Sequence, residues 1–338
     1  MALKPWIKGA VWAGSLAITA ALAGSGYLYY QTQQTLERPL ALGQTTELTL
    51  APGQSLSSLL NQWEQAGVID SAWWARLALR LEPELTAIKA GTYGLDAQMS
   101  LRDALTHLVA GDELQFQITL VEGGTVTQWL EQLHQHPRVT TTIEDVDQLQ
   151  ALLATEQSNP EGWLFPDTYA FTADTEDRAI LLRAYRRMTT ELERVWQERD
   201  TSIPLKNAYE LLILASIIEK ETGTPEERPL VSSVFVNRLN LGMRLQTDPT
   251  VIYGAEDYQG RITRKHLDTW TPYNTYRING LTPTPIANPS LASLEAAAHP
   301  DQSDYLYFVS KGDGSHQFSR TLREHNNAVN RYIRNRTP

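Results

Sequence analysis

Cysteine is absent from all 338 residues. That excludes disulfides, thiolate nucleophiles and cysteine-bound metal sites. Basic charge is also scarce: 29 Lys and Arg stand against 39 Asp and Glu, for a net charge of -10. A phosphate backbone calls for a basic face, so no nucleic-acid partner is expected. The seven histidines are scattered and form no H-E-x-x-H pair. His134 and His136, just before Pro137, read as a surface loop, and no metal is expected. The nucleophile elbow G-x-S-x-G is missing, since Gly314-Ser315-His316 falls in an expected hairpin turn. No glycine-rich phosphate loop occurs, no cofactor is implied, and neither internal repeats nor low-complexity tracts are present.

What is there suffices for real cores. Hydrophobic residues make up 42% of the chain, and its length suggests two folded units. From Gly9 to Tyr30 no residue is charged, and Lys4 and Lys8 stand just before that run. At 1.5 Å per residue the run spans about 33 Å, the thickness of a bilayer's hydrocarbon core. Trp6 and Trp12 near one end and Tyr27, Tyr29 and Tyr30 at the other suit the two interfaces. A cleaved signal peptide is the competing reading, because Ala21-Leu22-Ala23 fits a small-x-small site. The run continues past it and exceeds the ~7–15 residues of a usual signal core, which favours a retained anchor. The expectation is therefore a cytoplasmic tail at 1–8, a transmembrane helix at 9–30 and a polar tether at 31–45, with the remainder outside the cytoplasm.

Beyond the tether the pattern is α+β. Glu47 to Leu50 alternates like a strand, and Leu56, Leu59, Leu60 and Trp63 recur with helical period. A second helical run holds Trp73, Trp74, Leu77 and Leu79, and a third holds Leu101, Ala104, Leu105 and Leu108 before Gly111. Phe116 to Val121 reads as a strand. Residues 46–122 thus read as a small β-α-α-β module whose tryptophans are expected in the core. Residues 123–204 read as a helical connecting region, interrupted by the aromatic, Pro- and Gly-rich segment from Glu161 to Tyr169. Residues 205–338 form the last unit, with helices near 205–222, 225–240, 290–298 and 320–335 and a hairpin around Gly312-Asp313-Gly314.

The chemistry points to the helix from Ala208 to Thr222, apolar nearly all round until Glu219, Lys220 and Glu221. A helix of that profile is buried on most sides. A carboxyl in its last turn is desolvated and sits at the negative end of the helix dipole, and both raise its pKa. A raised carboxyl pKa is what a general acid needs near neutrality. Glu219 and Glu221 lie about 200° apart at 100° per residue, so one faces the site and the other does not. Periodicity does not choose between them. Thr224-Pro225-Glu226-Glu227 reads as the capped start of the next helix. Downstream, Leu245 to Gly254 and Tyr273 to Tyr276 are rich in amides, hydroxyls and rings, which suit a sugar groove.

Several of these runs resemble one family. LASIIEKET (214–222), SVFVNR (233–238), GMRLQTDPTVIYG (242–254), YNTY (273–276), AAAHP (296–300), YLYFV (305–309) and EHN (324–326) are similar to the endolytic murein transglycosylases of the MltG, or YceG-like, family. AGTY (90–93), VEG (121–123) and EGWLFPDTY (161–169) also match, so the resemblance runs along nearly the whole chain. Ser290 departs from it at a turn where the family often has Gly. The resemblance implies non-hydrolytic cleavage of the MurNAc–GlcNAc bond in peptidoglycan glycan strands to give 1,6-anhydro ends. It implies Glu221 as the single acid/base, a LysM-like character for 46–122, a transglycosylase domain at 205–338 and an inner-membrane location beside the peptidoglycan synthases. Gln246, Tyr273, Asn274 and Tyr276 are the expected groove residues. A non-catalytic membrane-anchored glycan-binding scaffold and a glycoside hydrolase are the competing functions.

Overall fold

Helix α1 runs unbroken from Pro5 to Glu37 in the computed structural model, which describes residues 5–154 and 159–334, with the backbone alone at residues 5–8, 10 and 11. The expected transmembrane helix falls inside α1, and part of it, like the tail before it, lies outside the described side chains. Trp12, Leu16, Ile18, Leu22 and Leu28 are all exposed. Among the described residues, however, no helix is long and apolar enough to cross a membrane. Glycines, Ser15, Thr19 and the tyrosines dilute the apolar content of the run.

The tether expected at 31–45 is instead part of a folded unit. Thr32 and Leu36, four residues apart on one face of α1, are 1% and 0% exposed, and Leu40 is 3% exposed. The chain beyond the helix is stitched in by Leu40 N–H donating to Met99 O at 2.8 Å and Ala41 N–H to Val68 O at 2.9 Å. The polar residues between these anchors face solvent, which is why the segment looks like a linker in the sequence.

The chain divides into two compact units between Phe116 and Gln117. In the first, β1 (Thr46–Leu50), α2 (Leu56–Gln65), α3 (Ala72–Leu81), β2 (Gly91–Leu95) and α4 (Leu101–Ala110) follow α1. Strands β1 and β2 pair antiparallel with Leu48 opposite Tyr93. Ser55, Ser71 and Ser100 cap the three helices after α1, each offering its side-chain oxygen to an N–H that has no partner within the helix. Leu36, Leu59, Leu60, Trp63, Leu79, Tyr93, Leu105 and Leu108 share the core. Trp63 is buried as expected, whereas Trp73 is 56% exposed and only meets Trp74 edge to face. The β-α-α-β pattern closes on β2. The next strand, β3 (Phe116–Leu120), pairs with β5 (Asp167–Phe171), so the strand expected to end the module belongs to another sheet.

The second unit continues with α5 (Val126–His134), β4 (Val139–Thr140), α6 (Val146–Leu153), β5, β6 (Thr175–Glu176) and α7 (Asp177–Glu198). Then come α8 (Ala208–Glu221), α9 (Arg228–Asn240), α10 (Asp248–Gly254), α11 (Arg264–Asp268), α12 (Leu291–Ala298), the hairpin β7 (Tyr307–Ser310) and β8 (His316–Ser319), and α13 (Leu322–Val329). Helix α8 is the axis of the unit: every residue from Leu211 to Ile218 is buried, and it packs against α7, α9, α10 and α12. Each such Leu or Ile contributes about 1.5–3 kcal/mol. Met188, Leu192 and Val195 of α7 enter the same core, so the expected connecting region and the last unit fold together.

The capped helix start expected at Thr224 does not form. Residues Pro225–Glu227 make a 3-10 turn, and α9 begins at Arg228. The Thr224 hydroxyl donates to Gly314 O at 2.8 Å instead. The side chain is tied to the hairpin loop and accepts no N–H of the turn that follows it.

Candidate active site

The two glutamates at the end of α8 have opposite fates. Glu219, with a side chain only 4% exposed, turns toward the N-terminus of α12. Its Oε2 accepts from Ser290 N–H at 2.9 Å, Ser290 Oγ at 2.5 Å and Ser293 Oγ at 2.7 Å. Arg228 lies 3.5 Å from Oε1. A carboxylate so ligated is a structural clasp, and a helix N-terminus favours its charge. Ser290 is also the N-cap of α12, so this position serves as a ligand to Glu219 as well as a turn.

Glu221 faces the other way and accepts one hydrogen bond, from Thr247 Oγ1 to its Oε1. Thr247 is held by buried hydroxyls. Its N–H donates to Thr275 Oγ1 at 3.0 Å, and Thr250 Oγ1 donates to Thr247 O at 2.7 Å. Thr250 and Thr275 are both fully buried. Just before, Gln246 has φ of +50°, the left-handed region in which non-glycine residues are strained by about 1 kcal/mol or more. Its N–H donates to Thr275 O at 3.2 Å, which fixes that turn and aims the next residue, Thr247, at Glu221.

The surroundings of Glu221 set its proton affinity. Burial pushes its pKa up from the ordinary 4.5 to about 7, the Thr247 hydroxyl opposes this, Asp248 reinforces it, and His316 and Arg238 oppose it. Arg238, 7% exposed, donates from Nε to Leu306 O at 2.6 Å and from one terminal nitrogen to Leu245 O at 2.7 Å. Its guanidinium lies 5.0 Å from the centre of the Tyr307 ring. His316 is held by Glu227 at 2.7 Å through Nδ1. A carboxyl protonated near neutrality, with the Arg238 guanidinium steadying it once ionised, can give a proton and take one back.

The expected groove residues separate into two groups. Gln246 is exposed beside Thr247, and its Oε1 lies 3.5 Å from Arg238. Tyr276 donates from its hydroxyl to Asp248 Oδ1 at 2.8 Å, and burial raises that hydroxyl's pKa, with the charges of Asp248 and Glu221 adding to it. These two stand with Glu221. Asn274 is 1% exposed and spends its amide on His266 O, Leu267 O and Thr269 O, while its Oδ1 accepts from Tyr276 N–H. It shapes the loop and leaves no group for a ligand. Tyr273 bonds to Thr284 at 2.8 Å and packs edge to face on Tyr253, supporting α10 from a different cluster. Thr247, Asp248, Arg238, Glu227 and His316 complete the site. The polar run Gln246-Thr247-Asp248 marked the first two in the sequence, whereas no local signal marked the others.

A second carboxyl in the unit is also perturbed. Glu161, 4% exposed, accepts from Val126 N–H at 3.1 Å, Asn288 Nδ2 at 3.3 Å and Tyr253 OH at 3.3 Å. Burial raises its pKa to about 7 against the pull of those bonds.

The comparisons agree with this geometry. The model of the YceG-like family matches residues 48–331. An endolytic murein transglycosylase of Bacillus subtilis is 33% identical over 308 residues, covering 86% of this chain and 85% of that protein. One from Streptococcus pneumoniae is 26% identical over 94% of this chain and 64% of its own length. The solved structure of a yceG-like protein from Listeria monocytogenes superimposes with a TM-score of 0.54 at 30% identity, covering 84% of this chain and 99% of that one. The chain belongs to the YceG-like family.

Proposed function

We propose that this protein is an endolytic peptidoglycan lytic transglycosylase with Glu221 as its only acid/base. The observation that carries the proposal is a carboxyl that burial keeps protonated to about pH 7, engaged at Oε1 by one hydroxyl rather than closed off by a clasp. Protonated Glu221 gives its proton to the glycosidic oxygen as the C1–O bond to GlcNAc breaks. The resulting carboxylate then takes the proton of the MurNAc C6 hydroxyl, whose oxygen closes on C1. One bond forms and one breaks, Glu221 ends protonated, and no water is consumed. Because the nucleophile lies within the substrate, no second carboxylate is needed to deliver it. Gln246 and Tyr276 line the groove, and Asn274 and Tyr273 hold the loops that present them.

The β1-α2-α3-β2 order of the first unit, closed by an antiparallel strand pair, supports a LysM-like module that binds glycan. The uncharged run at 9–30 behind two lysines and its exposed apolar side chains support anchoring at the inner membrane. In that arrangement the N-terminus is cytoplasmic, the catalytic unit is periplasmic, and the peptidoglycan synthases that make the nascent strands are neighbours. Mass spectrometry of the products from purified strands tests the activity. Anhydro ends that vanish in Glu221→Gln with glycan binding retained support the proposal, whereas reducing ends heavier by one water overturn it.

A further inference from the structure

The peptide unit between Leu245 and Gln246 is held at both ends. Its carbonyl oxygen accepts from a terminal nitrogen of Arg238 at 2.7 Å, and its N–H donates to Thr275 O at 3.2 Å. The two groups of a trans peptide point in opposite directions, so Arg238 and Thr275 grip it from opposite sides. Gln246 is strained within that grip, because its φ of +50° lies in the left-handed region that a side chain disfavours. Turning the peptide over would carry that φ to about −130°, in the broad β region open to any residue. The grip opposes this relief. It bears on the acid/base, because the next residue, Thr247, bonds through its hydroxyl to Glu221 Oε1.

Arg238 is itself firmly held. Its Nε donates to Leu306 O at 2.6 Å, and the nitrogen that meets Leu245 O also lies 3.2 Å from Arg244 O. The guanidinium faces the Tyr307 ring, which in turn stacks with His325 at 5.2 Å. The Arg238 carbonyl accepts from Met243 N–H at 2.8 Å, closing the loop that leads to Leu245. Beside it, Asn237 Nδ2 donates to Ser303 O at 2.8 Å and to Tyr305 O at 3.0 Å. The end of α9 thereby ties the approach to β7 to the segment that presents Thr247.

We propose that Arg238 is a positioning residue for the acid/base, locking the Leu245–Gln246 peptide in the strained orientation that presents the Thr247 hydroxyl to Glu221. This deepens the transglycosylase reading and rests on it. Arg238 acts through its fork of donors, and a charge alone in its place leaves the peptide free to turn over. With the peptide turned, Thr247 loses its aim and Glu221 loses its hydroxyl bond.

The lock is tested in the full-length protein with Arg238→Lys, which keeps the charge but has no planar fork to hold Leu306 O and Leu245 O together. The readout is titration of the Glu221 carboxyl by NMR, using 13C-labelled glutamate. Arg238→Lys raises the Glu221 midpoint by about half a unit to one unit, because the hydroxyl that favours the ionised form is lost while Asp248 and His316 stay in place. Thr247→Val gives the same rise. The double variant rises no further than either single one, the mark of two residues acting through one bond. Gln246→Gly, at an exposed position, takes the left-handed turn without strain, so in that background Arg238→Lys moves the midpoint by less than half as much. An unmoved midpoint in Arg238→Lys overturns the inference. So do shifts that add in the double variant, a full shift in the glycine background, or loss of the fold in both backgrounds. The titration needs no turnover, so it stands apart from the product analysis that tests the reaction.

Discussion

Two carboxyls in the second unit reach the same proton affinity by the same cause and do different things. Burial lifts both Glu161 and Glu221 to a pKa of about 7. Glu161 is enclosed by donors from a helix start, the Asn288 turn and α10. Glu221 takes a hydroxyl on one oxygen and has Gln246 exposed nearby. A raised pKa therefore marks desolvation, and the pattern of partners shows whether a proton can be passed to a ligand. Perturbed carboxyls are candidates for function on probability alone; here one is a joint, and the other is the one we propose as the acid/base.

The comparison breaks if the wrong carboxyl proves essential. Glu221→Gln is expected to lower turnover by about 10²–10⁴-fold, the usual worth of general acid–base catalysis, with a urea midpoint unchanged at pH 4.5, where the folded carboxyl is itself neutral. Anhydro-muropeptide release measures the first and denaturation the second. Glu161→Ala should cost about 2–4 kcal/mol of stability by stranding three donors, read from the urea midpoint. Glu161→Gln, which keeps the shape, isolates the proton. The folded protein holds the Glu161 proton to about pH 7, while a free carboxyl releases it near 4.5. The stability linked to that proton is complete below pH 4.5 and lost as pH rises through 7. About 3 kcal/mol of pH dependence follows, and Glu161→Gln should remove it from urea titrations at pH 4.5 and 8.

Smaller effects sharpen the contrast within α8. Glu219→Gln should cost about 1–2 kcal/mol, because it weakens the charged bonds to Ser290 and Ser293, while changing kcat by less than about threefold. Differential scanning calorimetry and initial rates would show this split. Thr247→Val removes the one hydroxyl bond that favours ionised Glu221. It should move the alkaline limb of kcat/KM up by less than about one unit, as seen in the pH–rate profile.

The buried stretch of α8 and its polar end were legible because an all-round apolar helix has few alternatives. The choice between Glu219 and Glu221 was not, since it depends on Ser290 and Ser293, some seventy residues away. The resemblance of the motif made the choice, and the clasp on Glu219 supplies its physical reason. Local signals failed where distant groups competed for the same atoms. Thr224 has the surroundings of a cap, but its side chain is tied to Gly314 and accepts no helix N–H. Asn274 has the chemistry of a sugar ligand, but its own loop uses it up. His316 carries no local signal at all, since nothing in its immediate surroundings announces Glu227.

The unbroken course of α1 into the first unit has one more consequence. Because Thr32 and Leu36 are locked into that unit's core, the upstream helix and the module share one rotational phase. Each residue added before Thr32 turns everything upstream by about 100° relative to the module and lengthens the rod by about 1.5 Å. A single alanine inserted at 24 would swing the upstream face by more than a quarter-turn, whereas seven alanines return it to within about 20°. If the helix sits in a membrane against a neighbour, activity in cells should follow that angular beat rather than the added length.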